Sequence, residues 1–337
     1  MKLGASLAIH AVLLGLSVAS AGYVWTREEP PKALVQADVT IWPGKPADLT
    51  RVTYETKTKK AVLEPKSDAV GRYFVGSLEK ETPPPTAKGD AGTPEPAAAP
   101  TRTTMMFVSV AAAEKLVAEL APLRALRAVG KIAADRDAEF GFDKPEGTLV
   151  LELGGATRKL VVGGTTPGGA DRYVREEASG EVFVLKGETL RSLDSADSRL
   201  IERDLHPWKD NELTGAKVVA GDKSRELTRS EAEDGKRVWA DPAAPSQADE
   251  TLSNWLSKVD RLRPNEYVEK LPDGASTVVR VEYRGGAKSL GYLEISKAPG
   301  AEGKSDYFVQ SEHIRRPAKV PATLAEQVEQ DLGSVVR

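Results

Sequence analysis

The chain contains no cysteine, which excludes disulfides, thiolate metal sites, iron–sulfur clusters and cysteine nucleophiles. The redox compartment stays open, because an extracytoplasmic protein can do without bridges. Histidine is almost as scarce: His10, His206 and His313 are the whole supply, with no H-x-x-x-H spacing, so a zinc site is not expected. Neither charge sign dominates. Lys and Arg number 47 against 50 for Asp and Glu, and a net charge of -3 builds no field that would gather nucleic acid. A G-x-S-x-G elbow, a GK[ST] phosphate loop and an EF-hand loop are all missing.

What the chain does have begins with one long apolar run. Leu3 to Trp25 is a 23-residue stretch with no charged side chain except the weakly basic His10, preceded by Lys2 and followed by Arg27, Glu28, Glu29 and two prolines. Roughly 20 apolar residues at 1.5 Å rise cross a bilayer core of ~30 Å. The run predicts a transmembrane anchor over 1–25, with Tyr23 and Trp25 in an interfacial belt and Lys2 on the cytoplasmic side. Ala19-Ser20-Ala21 also fits a signal-peptidase site, so a leader cleaved before Gly22 is the alternative. A short polar stalk, 26–37, follows.

The rest reads as strands and short helices, arranged twice. Val39 to Ile41, Leu49 to Tyr54, Ala61 to Leu63 and Arg72 to Val75 alternate as a small antiparallel meander. Glu81 to Arg102 is rich in Pro, Ala, Gly and Thr, has nothing to bury, and is expected to be a disordered insertion. A helix is predicted after Ser109 as N-cap, carrying Leu116, Leu120, Leu123 and Leu126, with Pro122 kinking it. A second is predicted after the capping box that starts at Ser246, carrying Leu252, Leu256, Val259 and Leu262. The four pairs share an offset of 136, which points to an internal duplication.

The hairpin at Thr148 to Gly163 returns at Ser276 onward. Matching its glycines gives an offset of 131, whereas matching Leu149, Leu151 and Leu153 to Val279, Val281 and Tyr283 gives 130. Burial should decide the register, leaving the second turn one residue longer. Upstream, Trp42 to Tyr54 parallels Trp208 to Val219 through Leu49-Thr50 and Leu213-Thr214. The expected architecture is α+β: two related modules of antiparallel sheet plus helices, 38–200 and 201–332, after an N-terminal transmembrane helix.

Chemistry is thin on this scaffold. His206 precedes Pro207-Trp208, His313 sits between Glu312 and Ile314, and both read as partly exposed residues at strand edges. Asp135, Asp137, Glu139 and Asp143 lack the alternating ligand pattern of a calcium loop. Gly163 to Gly169 could cradle an anion only if a helix followed, and a strand is expected instead. Arg315-Arg316 is a small basic spot that could face headgroups or an acidic partner. No catalytic, cofactor-binding or metal residue is assigned, and no enzyme activity is expected.

Phe140-Gly141-Phe142-Asp143-Lys144-Pro145, the hairpin to Gly163, Gly163 to Pro167 with Gly169 and Tyr173, and Val182 to Leu185 resemble the domain of unknown function 4340 family. Arg203-Asp204-Leu205 onward resembles that family's return into a second copy. Members are often encoded beside ABC-type export permeases and gliding-motility-associated transport proteins. The resemblance therefore implies an accessory role at the bacterial envelope: anchored in the inner membrane, bulk in the periplasm, with protein partners such as a permease complex. The alternative is an anchored or secreted carbohydrate-active enzyme or glycan-binding module using carboxylates such as Asp143 and Glu176.

Overall fold

Alternating apolar positions turn most of the chain into two large antiparallel sheets. The computed structural model describes residues 14, 17, 38–82, 100–231, 235 and 237–336. Apart from Leu14 and Ser17, the expected anchor and the stalk lie outside the described residues, as does 83–99 of the Pro-rich insertion. Among the described residues no helix is long and apolar enough to cross a membrane. Val39–Arg337 forms one compact unit, and the account below concerns it.

The first half runs β1 (Val39–Trp42), β2 (Leu49–Thr56), β3 (Lys59–Ser67), β4 (Arg72–Thr82), β5 (Thr101–Ser109), α1 (Ala111–Leu120), β6 (Leu123–Ala125) and β7 (Arg127–Lys131). It continues through β8 (Gly147–Leu153), β9 (Ala156–Thr165), β10 (Arg172–Glu176), β11 (Glu181–Leu185), α2 (Gly187–Asp194) and α3 (Ala196–Arg199). Nine strands form one sheet in the order β5-β4-β3-β2-β8-β9-β10-β11-β7, while β1 leaves the expected meander to pair with β6. Strands β4 and β5 extend into the Pro-rich segment, pairing Glu81 with Arg102 and Thr82 with Thr101, so the ordered hairpin reaches further than its composition implies.

The second half comprises β12 (Gly215–Ala220), β13 (Lys223–Glu231), β14 (Arg237–Ala240), α4 (Glu250–Val259), β15 (Glu266–Tyr267), β16 (Ser276–Gly285), β17 (Lys288–Pro299), β18 (Ser305–Ser311), β19 (Ala318–Val320) and α5 (Ala322–Val335). Its sheet order is β14-β13-β12-β16-β17-β18-β19-β15. With β5 set aside, this is the order of the first sheet strand for strand, including the edge strand that follows the helix. The fold is α+β.

Two helix expectations change. Ser109 ends β5, and its Oγ accepts the Ala113 N–H at 3.2 Å. Pro122 does not kink α1; the helix has already ended at Leu120, because proline offers no N–H to continue it. Leu123 is therefore a strand residue and Leu126 is exposed, so only Leu116 and Leu120 match Leu252 and Leu256 as buried helical positions. The second cap is Asp249 and not Ser246: its Oδ1 accepts the Leu252 N–H at 2.9 Å.

The hairpin register follows burial, at offset 130: Leu149, Leu151 and Leu153 are buried, as are Val279, Val281 and Tyr283. The extra length is not in the turn. Gly154-Gly155 and Gly286-Ala287 are both two-residue loops, and the second hairpin gains longer arms with an irregular register beside Tyr283. Both residues of the first loop have positive φ, 60° and 76°, which is why two glycines stand there.

One continuous apolar core runs from Trp42 to Val336 through both sheets. The segment between the halves is pinned from both sides. The Glu202 N–H donates to Val108 O at 2.7 Å, the Tyr267 hydroxyl to Glu202 O at 2.8 Å, and the Ser311 hydroxyl to Leu205 O at 2.6 Å. Arg315 is no solvated basic spot. Its side chain is 7% exposed, and Nε lies 3.4 Å from Asp68 of the first half, near the Tyr73 ring.

Candidate functional site

The sequence elements singled out for chemistry mostly resolve into packing. Gly163 ends no phosphate cradle; it lies within β9, and a Cβ there would stand 2.4 Å from Phe140 O and 2.8 Å from the Phe142 ring. Phe142, Tyr173, Val182 and Val184 form a second small core on that side, and Phe140 meets Tyr173 edge-on at 4.9 Å. The residues that carry the family resemblance therefore hold a sheet corner together. Asp137 is taken by Arg175, and Glu139 by Arg136 at 2.7 Å. Asp143 is exposed in a turn, and Glu176 accepts Trp42 Nε1–H at 3.4 Å and the Ser179 N–H at 2.6 Å. Among the described residues no cluster of His, Cys, Asp and Glu could hold a metal ion. His10 lies outside the described residues.

The two remaining histidines are not isolated edge residues. A bend at Pro207 and the turn after β18 place His206 and His313 in the same cleft, about 600 Å³ in volume, where the linking segment meets the second sheet. Trp208, Asp210, Arg229, Trp239, Asp260 and Arg263 line it with them. The imidazole of His206 stacks on the Trp208 indole at 3.5 Å with an interplanar angle of 5°. Behind them stands Tyr283, its ring 4.9 Å from Trp208 and 5.9 Å from His206. Arg229 donates to Asp210 Oδ1 at 2.8 Å and lies 5.0 Å over the Trp239 ring.

Electrostatics divide the cleft into settled and unsettled groups. Burial pushes the Glu202 carboxyl up, but hydrogen bonds from His313 and from the Asp204 and Arg203 N–H groups outweigh it and hold the group below the usual range. Its Oε2 is 3.6 Å from His313 Nε2. Burial lowers the His206 pKa to about 4, opposed by a backbone contact with Trp208 too poorly aligned to count as a hydrogen bond and by Asp204, and aided by the His313 and Arg263 charges. Burial raises Asp260 to about 6, with Asp210 adding to it and Arg229 opposing it. Although 46% of the Asp260 side chain faces outward, its carboxylate stands in the cleft wall with only His206 Nε2, at 4.0 Å, as an ion-pair contact. Between those two values both groups are neutral.

Four buried polar atoms at this place have no hydrogen-bond partner among the described residues: His206 Nδ1, Trp208 Nε1, Arg229 Nε and Tyr283 OH. Elsewhere only Arg158 Nε shares that condition. Buried polar groups are nearly always paired, so such a concentration marks a place where the protein has not completed its own bonding.

The sequence model of one family, Domain of unknown function (DUF4340), matches residues 108–278, just over half of the 337-residue chain. The chain belongs to this family. The matched span contains the cleft wall from Ala111 to Arg263, whereas His313 of this DUF4340 protein lies beyond it, as does Tyr283 behind the wall. No curated protein and no solved structure matches the chain. Sequence reasoning treated His206 and His313 separately and passed over Trp208, Asp260 and Arg229. The signal that could have found them is the dense His206-Pro207-Trp208 run beside Asp210, in a chain otherwise poor in histidine and aromatics.

Proposed function

We propose that this DUF4340 protein is a single-span, membrane-anchored extracytoplasmic protein that acts by binding, as an accessory component of an ABC-type transport or gliding-motility-associated envelope complex. The observation that carries the reading is the apolar run Leu3 to Trp25 ahead of a body made almost entirely of sheet. A run of that length suits a bilayer span, and Lys2 on its short side favours export of the bulk. The matching strand orders favour two copies of one folding unit, 38–200 and 201–332, joined by the segment around Glu202. Such scaffolds suit docking, since a sheet fixes side chains rigidly across a broad surface. The family resemblance supplies the choice of partner.

The test combines location with capture. Membrane fractions should retain the full chain after a high-salt wash, and protease added to spheroplasts should degrade the body. Purification in mild detergent should recover a permease and its ATPase. A body found in the cytoplasmic fraction ends the localisation, and a chain recovered alone under conditions that preserve known permease complexes ends the accessory role.

A further inference from the structure

The two halves of the sheet body differ most at one corner. An offset of 164 runs through β2 and β3 into β12 and β13, setting Leu49 on Leu213, Val52 on Ala216 and Leu63 on Leu227, all buried. The same offset sets Trp42 on His206, Pro43 on Pro207, Gly44 on Trp208 and Pro65 on Arg229. Strand pairing then sets Phe74 on Trp239, and the hairpins set Leu153 on Tyr283. In the first half this corner is apolar and closed: Trp42, Phe74 and Leu153 are buried, and Trp42 Nε1 has its acceptor in Glu176. In the second half the equivalent positions carry the four unpartnered polar atoms; His206, Trp208, Arg229 and Trp239 line the cleft, and Tyr283 packs behind the His206 and Trp208 rings.

We propose that the cleft formed by His206, Trp208, Arg229 and Asp260 binds a neutral polyhydroxylated ligand, a saccharide of one or two rings. Charge argues first. Asp210 is engaged by Arg229 and Glu202 by His313, and Asp204 and Asp260 against Arg263 leave a negative excess that disfavours an anion, while the donors Trp208 Nε1 and Arg229 Nε offer nothing to an ammonium. Bonding argues second. Trp208 Nε1 and Arg229 Nε can only donate, whereas Asp260 is free to accept, and these groups gather around one stacked ring pair. A ligand there must offer an acceptor to a nitrogen and a donor to a carboxylate. A hydroxyl does both at one oxygen, while an amide carries its donor and acceptor on opposite sides. A cleft of about 600 Å³ is of ordinary size for a small ligand. The inference does not depend on where the protein sits or which complex it joins.

The five tryptophans give the readout. The full-length ¹⁵N-labelled chain in a sugar-free zwitterionic detergent is titrated with maltose, cellobiose and N,N′-diacetylchitobiose, and separately with citrate and trialanine, following the indole N–H signals. At least one disaccharide should shift the Trp208 signal saturably, leaving those of Trp42 and Trp255, whose Nε1 atoms already have acceptors, in place. Trp208→Phe identifies the signal by its loss and keeps the stacked ring. Asp260→Ala, at the open rim, should weaken the disaccharide about tenfold or more while the other indole signals stay put. Absence of a saturable shift with all three sugars overturns the proposal. So does a shift at Trp208 produced by citrate or trialanine alone.

Discussion

Trp42 and His206 occupy the same place in two copies of one strand arrangement, and they have opposite fates. Trp42 is 2% exposed and hydrogen-bonded. The imidazole of His206 keeps a buried nitrogen without a protein partner and turns one face to a cleft. A shared backbone thus supports a sealed corner in one half and an open polar one in the other, and the difference resides in a handful of side chains. What stabilises a fold and what equips it to bind are here separable position by position.

The sharpest way to break that comparison is truncation at the two equivalent positions. Trp42→Ala should cost about 3–5 kcal/mol, because it empties a closed core site, whereas His206→Ala should cost about 1 kcal/mol at a half-open one. Urea unfolding midpoints would measure both, and equal losses would show the corners to be alike. Gly44→Ala comes next. Its Cβ would lie 2.7 Å from Leu153 Cδ2, in the place where the other half accommodates a whole indole. A loss of about 1–3 kcal/mol is expected, largely restored when Leu153→Ala is added.

The pH profile offers a finer distinction. The folded His206 pKa of about 4 lies below its ordinary 6.5, so the unfolded chain takes up a proton there first and stability falls as pH drops from 6.5 to 4. Asp260, raised from 3.8 to about 6, works the other way: the folded chain holds a proton that the unfolded one releases, and stability falls as pH rises through 6. The two contributions oppose each other in nearly the same window. Asp260→Asn should therefore steepen the acid loss between pH 6.5 and 4, by less than its burial alone implies because nearly half of the side chain meets solvent, and His206→Phe should reverse the direction of the change. Trp42→Phe should leave the upper part of that window unchanged and act only at its acid end, where Glu176 loses the Trp42 hydrogen bond that helps hold its carboxyl low. Chemical denaturation at several pH values would check all three. The smallest effect concerns the contact between halves: a double-mutant cycle on Asp68 and Arg315 should return a coupling of about 0.5–1 kcal/mol.

Much of the fold could be read directly from residue order. Alternation placed the β8–β9 and β16–β17 hairpins, and the burial of Tyr283 in preference to Arg284 settled their register, since a slip of one would have turned an apolar face outward. Where the reading erred, local pattern and local geometry disagreed. Leu123 and Leu126 continue the helical spacing of Leu116 and Leu120, yet Pro122 removes the N–H that such a helix needs, and the chain leaves as a strand. Val39 to Trp42 alternates like a meander strand and pairs with β6 instead, a choice made by a partner 80 or so residues away.

The cleft was the least legible part. Its walls come from the linking segment, from β13, from the end of α4 and from the turn after β18, spread between Glu202 and His313. Residue order by itself determined the apolar leader, the alternation, the turn glycines and the twofold rhythm, because these depend on neighbours two to four positions apart. Only the packed structure decided that Trp42 is sealed while His206, Trp208, Arg229 and Tyr283 keep polar atoms unpaired. Burial and hydrogen-bond completion are set by what lies across space, and no pattern along the chain encodes that.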